Sequence, residues 1–345
     1  MYALSFEHPE PNREQPRIIP VFIPFAGCPG RCIYCAQREQ TGEHPMSLSK
    51  IFSACRARLA KCLEQGENNL GLAFYGGTFT ALPWEWQLKF IKLAADFKSK
   101  GVLTHIRCST RPDFIDLRQL DSLQKHGLDL IELGIQTFND VVLQISRRGY
   151  NHEVALDACE KITGQGLELG LQMLPGLPGH SISIFMRDIE QVCDLSPSTL
   201  RLYPCLVIGN TELTSMWRQG KYRPWSLDTA LGAISLVMPE IWKNGIKIIR
   251  IGLAPEADML NALHAGPWHE SFGSICRGMA LRDMLLSKIR MMPGRAQKIM
   301  VPYRYVSDFW GFKRSNAAAY QKQGITRKEV DIHNGSKFII MNHSN

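Results

Sequence analysis

Residues 18–35 read IIPVFIPFAGCPGRCIYC, an apolar run followed at once by three thiols, Cys28, Cys32 and Cys35, spaced C-x3-C-x2-C. Three thiolates on one tight loop can hold three irons of a 4Fe-4S cluster and leave the fourth iron open to a small-molecule ligand. An open iron is a place for chemistry, whereas a fully ligated cluster relays electrons or braces a fold. The same residues also admit a structural zinc site or three unrelated buried thiols. Zinc normally takes a fourth Cys or His, and none follows at finger or ribbon spacing.

Beyond this loop, short β-rich runs alternate with helical segments up to about Arg250. The expected strands are Ile18 to Phe25, Leu70 to Tyr75, Leu103 to Ser109, Leu130 to Ile135, Leu167 to Met173 and Leu200 to Pro204. Between the first two, Leu48, Ile51, Phe52, Cys55, Leu59, Cys62 and Leu63 recur at helical spacing behind a Ser cap, which makes Cys55 and Cys62 core residues. Pro83 starts the next helix and Asn151 caps a later one. Strict alternation predicts an α/β fold with a parallel sheet and right-handed crossovers. The region is too short for eight units, so the expected architecture is a partial (β/α)6 TIM-like barrel with a small basic C-terminal α+β unit. Functional groups then belong at the C-terminal ends of the strands. The expected divisions are a lead-in over 1–17, the barrel over 18–250, an extension over 251–290 and the small unit over 291–345.

The chain has 345 residues and a formal net charge of +8. From Arg277 onward there are 13 Lys and Arg against 4 Asp and Glu, +9, so the preceding part carries 27 against 28, or −1. A near-neutral body with a basic tail fits a polyanion partner such as RNA, or a solvated face that aids solubility. The N-terminal sequence lacks an apolar signal core, and no run of eighteen apolar residues occurs. Ten cysteines without an export signal point to a reducing compartment, so the expectation is a cytoplasmic protein with no membrane association.

The loop with Tyr34 before its last thiol, C-x3-C-x-aromatic-C after a first strand, resembles the signature of the radical S-adenosylmethionine (SAM) superfamily. That resemblance implies SAM on the open iron and its cleavage to methionine and a 5'-deoxyadenosyl radical. It implies a SAM site at Gly76, Gly77 and Thr78 in FYGGTFTALP, where Thr78 replaces an often acidic residue. It assigns Gln136 to the SAM ribose region and Arg148, with Arg147 as a rival, to the SAM carboxylate. Arg111 in CSTRPDFI falls at the barrel mouth, and Gly176 in MLPGLPGHS can pass close to an adenine edge. An electron donor such as flavodoxin or ferredoxin is also implied.

Together STRPD, ELGIQTF, RRGY, PGLPG and YPCLVIGNTEL, spanning about Ile18 to Tyr222, resemble the elongator-complex catalytic subunit family, which modifies wobble uridine in tRNA. That family adds an acetyltransferase domain. Here about a hundred residues follow the barrel, without an acetyl-CoA pyrophosphate loop, and the cysteine spacing follows the general superfamily pattern. Carboxymethylation is therefore not carried over, while a tRNA or other RNA substrate is. The other expectations are a small molecule or protein side chain as substrate, or a non-catalytic iron-sulfur module.

Tyr203 and Pro204 are expected to line the substrate side. His269, beside Trp268 in a Gly-rich loop, can donate a proton or simply cap the barrel. In the last segment, Trp310, Gly311, Lys313 and Arg314 resemble a KH-type RNA-binding loop, with Arg314 where the second glycine belongs. They offer stacking beside cations, or a small packing unit that seals the barrel.

Overall fold

Side chains along a strand alternate between two faces, and the two faces of the main sheet here differ in chemistry. The structure, a computed structural model, describes residues 2–11, 16–37, 39 and 46–342. Strand β1 (Tyr2–Glu7) is followed by β2 (Arg17–Ile23), β3 (Leu70–Gly76), β4 (Leu103–Thr110), β5 (Leu130–Gln136), β6 (Glu168–Met173) and β7 (Thr199–Leu202). Then come β8 (Val207–Ile208), β9 (Lys247–Ile251), β10 (Leu263–Ala265), β11 (Lys298–Pro302), β12 (Val330–His333) and β13 (Lys337–Asn342). Strands β2 to β7 and β9 form one parallel sheet in that order, with β2 and β9 at its open edges. The six expected units form the partial barrel, and the strand that follows them pairs with β7 as a seventh.

Both faces of a parallel sheet are usually apolar because helices cover both. Here one face carries Ile19, Val21, Leu72, Phe74, Ile106, Cys108, Ile131, Leu133, Leu171 and Leu202 into the core beneath the helices. The other face carries Tyr75, Ser109, Gln136, Gln172 and Arg201, which line a cavity. Curling the sheet hides the polar face from bulk water without filling it with hydrocarbon.

The helices form for local reasons. Ser47 caps Leu48–Glu64 by accepting the Lys50 N–H, and Ile51, Cys55, Leu59 and Cys62 are its buried stripe. Pro83 precedes Trp84–Ser99, whose Phe90 is fully buried against the rings of Phe52, Phe74 and Trp86. Truncating such a ring to alanine costs about 3–5 kcal/mol. Asn151 caps His152–Gly164 through the Val154 N–H at 3.1 Å. No helix among the described residues is long and apolar enough to cross a membrane.

The C-terminal sheet has the order β1-β13-β11-β12, with β1 antiparallel to β13 from Tyr2↔Asn342 to Glu7↔Lys337. The expected lead-in is thus a strand of the small unit, which alternation over six residues alone does not reveal. One helix, Phe272–Met291, serves both bodies. Its Phe272, Cys276 and Ala280 pack in the barrel core, and its Leu281, Leu285 and Ile289 pack with Val301, Phe309, Tyr320, Phe338 and Ile340. His8 stacks on Tyr305 with ring centroids 4.4 Å apart and lies 4.8 Å from Trp242, and Glu10 pairs with Arg277.

Candidate functional site

A cavity of about 520 Å³ opens at the C-terminal ends of the strands, within the usual range for small-molecule sites. It is lined by Cys28, Cys32, Tyr34, Cys35, Gly76, Gly77, Thr78, Arg111, Gln136, Arg148 and Tyr203, so most of the candidate residues meet here. Gly176 and His269 do not line it. Gly176 lies under Trp225, and its carbonyl accepts the Tyr222 hydroxyl at 2.6 Å. His269 accepts the Ser271 N–H at 2.9 Å and packs edge-on against Phe312, with centroids 5.1 Å apart. The adenine contact expected at Gly176 therefore falls in a separate pocket, and His269 is a contact to the small unit.

The thiol loop is knitted to the turn after β3. Thr78 N–H donates to the Ala26 carbonyl at 2.8 Å, and Gln37 accepts the Phe25 N–H at 2.7 Å while donating to the Gly76 carbonyl. Glycine is required at 77, where a Cβ would collide with the carbonyl oxygens of Ala26 and Ile23. Thr78 is fully buried, with its hydroxyl 3.3 Å from the Cys28 sulfur. At the end of β5, Gln136 holds a φ of 74° beside a shift in register, a strained conformation that turns its side chain toward the cavity.

Arg148 comes from the turn after Asp140–Ile145, yet its guanidinium is buried against the thiol loop. It donates to the Cys32 sulfur at 3.0 Å, to the Tyr34 hydroxyl at 3.2 Å, to the Tyr150 hydroxyl at 3.0 Å and to the Gly134 carbonyl. These bonds occupy the fork that the resemblance assigns to a carboxylate. Arg147 lies outside, in an exposed pair with Glu212. Arg111 is held by Asp113, donates to the Arg148 carbonyl and stands 4.0 Å from the Cys32 sulfur. Two guanidiniums therefore face one thiol, which suits a cluster whose three thiolates leave it with net negative charge.

Burial, reinforced by charges at Cys32 and Cys28, pushes the Cys35 thiol up to about 12. Metal must therefore displace that proton on binding. Burial also raises the Tyr34 hydroxyl, against the opposing pull of Arg148, so it remains a neutral donor. Among the described residues no three His, Cys, Asp or Glu side chains converge as a single-ion site. All three thiols line the one cavity, and a set of three thiolate donors is what a 4Fe-4S cluster with one open iron takes.

In the cavity wall lies a network of which the sequence analysis singled out only Tyr203. Glu132, wholly buried, pairs with Arg201, which also donates to the Tyr75 and Tyr203 hydroxyls. Ser109 donates to Glu132 at 3.3 Å and accepts from Gln172 at 3.2 Å. The available signal was a charge inside an apolar strand, Glu132 in LIELGI and Arg201 in LRL, which has to be paired if buried.

At the small unit, the suspected RNA loop is largely a packing turn. Gly311 has φ 71° and its Cα approaches Gly278 of the shared helix. Asn316 donates to the carbonyls of Gly278, Asp308 and Phe309 at 2.9, 3.2 and 3.1 Å. Trp310 is half-buried, edge-on to Phe309 and Tyr320, while Lys313 and Arg314 stay exposed.

The model of the radical SAM superfamily matches residues 22–192, and that of the Radical_SAM C-terminal domain matches 197–279. A tRNA uridine(34) acetyltransferase from Methanocaldococcus infernus is 27% identical over 275 residues, 68% of this chain and 51% of that protein. Its counterpart from Methanocaldococcus jannaschii is 29% identical over 266 residues, 65% of this chain and 49% of that protein. The chain thus spans about half the length of these relatives. The fold is similar to that of the archaeal Methanocaldococcus infernus Elp3 with an N-terminal deletion, with TM-score 0.60 and 22% identity over 79% of this chain and 64% of that one.

Proposed function

This chain belongs to the radical SAM superfamily, and from that premise we propose that it reductively cleaves SAM and directs the resulting 5'-deoxyadenosyl radical at an RNA, with tRNA the first candidate. It is an enzyme of the radical SAM class, and enzymes of that class use a 4Fe-4S cluster and SAM. When bound, the reduced cluster supplies the electron that splits the sulfonium into methionine and a carbon radical able to take a hydrogen atom from a substrate. Cys28, Cys32 and Cys35 would hold three irons. Gly76 and Gly77 offer the amino end of SAM a backbone edge free of Cβ atoms, Thr78 lines the cavity beside them, and Gln136 faces the same space. Arg148 and Arg111 steady the Cys32 side of the loop. A one-electron donor such as flavodoxin or ferredoxin would feed the site.

The observation that carries this reading is the interlocking of the thiol loop with the Gly76–Thr78 turn on one cavity wall. An RNA substrate is supported by the +9 balance from Arg277 onward and by the names of the relatives. A small molecule or protein side chain is the second reading, favoured by the position of Lys313 and Arg314 outside the cavity lining. Anaerobic reconstitution should give about four irons per chain, and dithionite with SAM should yield 5'-deoxyadenosine and methionine. Absence of both products from cluster-loaded protein would refute the reaction. Nucleosides from RNA of cells with and without the protein should differ at one modified base; identical profiles would move the substrate to the second reading.

A further inference from the structure

The network beneath the thiol loop has an imbalance with a chemical consequence. Arg201 is only 15% exposed and Glu132 is 0% exposed, so their charges cancel within the barrel. The guanidinium has no acceptor atoms and can only donate. Its Nε is spent on Glu132, its Nη1 on the Tyr203 oxygen at 3.0 Å and its Nη2 on the Tyr75 oxygen. Both phenol oxygens therefore act as acceptors toward Arg201, and each keeps its own O–H. Among the described residues neither O–H meets an acceptor, and both side chains line the cavity. Burial raises the Tyr75 hydroxyl above its ordinary range, which keeps it a donor.

We propose that Tyr75 and Tyr203, clamped by Arg201, form a two-donor binding site for carbonyl oxygens of the substrate, as in an amide or imide ring. Arg201 is neutralised by Glu132 and three of its five N–H groups are in use, one on each nitrogen, so the site offers two phenol donors backed by a charge-paired guanidinium. Those suit carbonyl oxygens, whereas a phosphate calls for free cationic donors. Tyr75 immediately precedes Gly76 at the end of β3 and Tyr203 follows the end of β7, so the clamp adjoins the space where SAM would sit. The site selects a substrate and takes no part in holding the cluster. The inference rests on the reading that the cavity holds SAM together with a second molecule.

The test uses anaerobically reconstituted holoprotein with uridine, acetate, inorganic phosphate and SAM as separate probes. Tyr75→Phe and Tyr203→Phe each delete one oxygen and keep the ring. The double variant should lose about tenfold or more in uridine affinity, while SAM affinity changes by less than about twofold. In wild-type protein labelled at tyrosine Cζ, two ring carbons should shift on adding uridine and stay in place on adding SAM, a readout that needs no variant to fold. Undiminished uridine binding by the double variant, or no uridine binding by the wild type, would overturn the proposal. An equal loss of SAM affinity would overturn it by assigning the tyrosines to SAM, and preference for acetate or phosphate would overturn the carbonyl class. Deoxyadenosine yield is measured separately: intact SAM cleavage without tyrosine-dependent uridine binding sinks only this inference, and the reverse result sinks only the proposed reaction.

Discussion

The cavity and the loop after Phe309 both looked like binding elements in the sequence, and the fold treats them differently. At the cavity, residues far apart in the chain converge and leave polar groups facing open space: Arg148 reaches Cys32 across 116 positions, and Arg201 reaches Tyr75 across 126. At the loop, neighbouring residues turn inward, with Gly311 against Gly278 and Asn316 on three backbone carbonyls. A binding site keeps hydrogen-bonding capacity unspent, whereas a packing turn consumes it.

The contrast exposes itself to measurement most sharply at the thiols. Cys28→Ala, Cys32→Ala or Cys35→Ala should each cut SAM cleavage by at least about a thousandfold, since the activation step has no other route. Iron content and deoxyadenosine yield report it, and a variant that keeps both would remove the cavity from the chemistry. Arg148→Met should come next, costing about 3 kcal/mol, because Tyr150 and Gly134 lose buried partners. Loss of a positive charge beside Cys32 should also lower the cluster reduction potential, read by redox titration, and an unchanged potential would make Arg148 a purely structural residue.

Asn316→Ala should cost about 2 kcal/mol by leaving carbonyls unsatisfied, visible in denaturant melts of the whole chain. A neutral result would mean that the turn is not a packing element. The smallest stability effect, within about 0.5 kcal/mol, belongs to Lys313→Glu with Arg314→Glu. If those exposed cations meet phosphates, the slope of RNA affinity against salt should drop by about 2. An unchanged slope would leave them as solubilising charge only.

Much of this was legible because it is local. Strand positions followed from composition, Cys55 and Cys62 were placed in the core by helical spacing, and Ser47 and Asn151 were legible as caps. Less legible were directions. Arg148 was expected to point at a carboxylate and instead grips Cys32, because the turn before it tucks the side chain under the thiol loop. Gly176 was expected near a ligand and lies under Trp225, a residue 49 positions onward whose place no local rule supplies. The six-residue β1 carries no sign that its partner is β13 at the far end of the chain.

By itself the sequence determined the thiol spacing, the alternation of strands and helices, the caps and the uneven charge, all of which depend on contacts within a few residues. The tertiary structure alone decided which side chains from seven strands share one cavity, and that Arg201 leaves two phenol O–H groups facing it. Those facts depend on register and curl accumulated across the whole sheet, where a slip of one residue would turn each side chain to the opposite face.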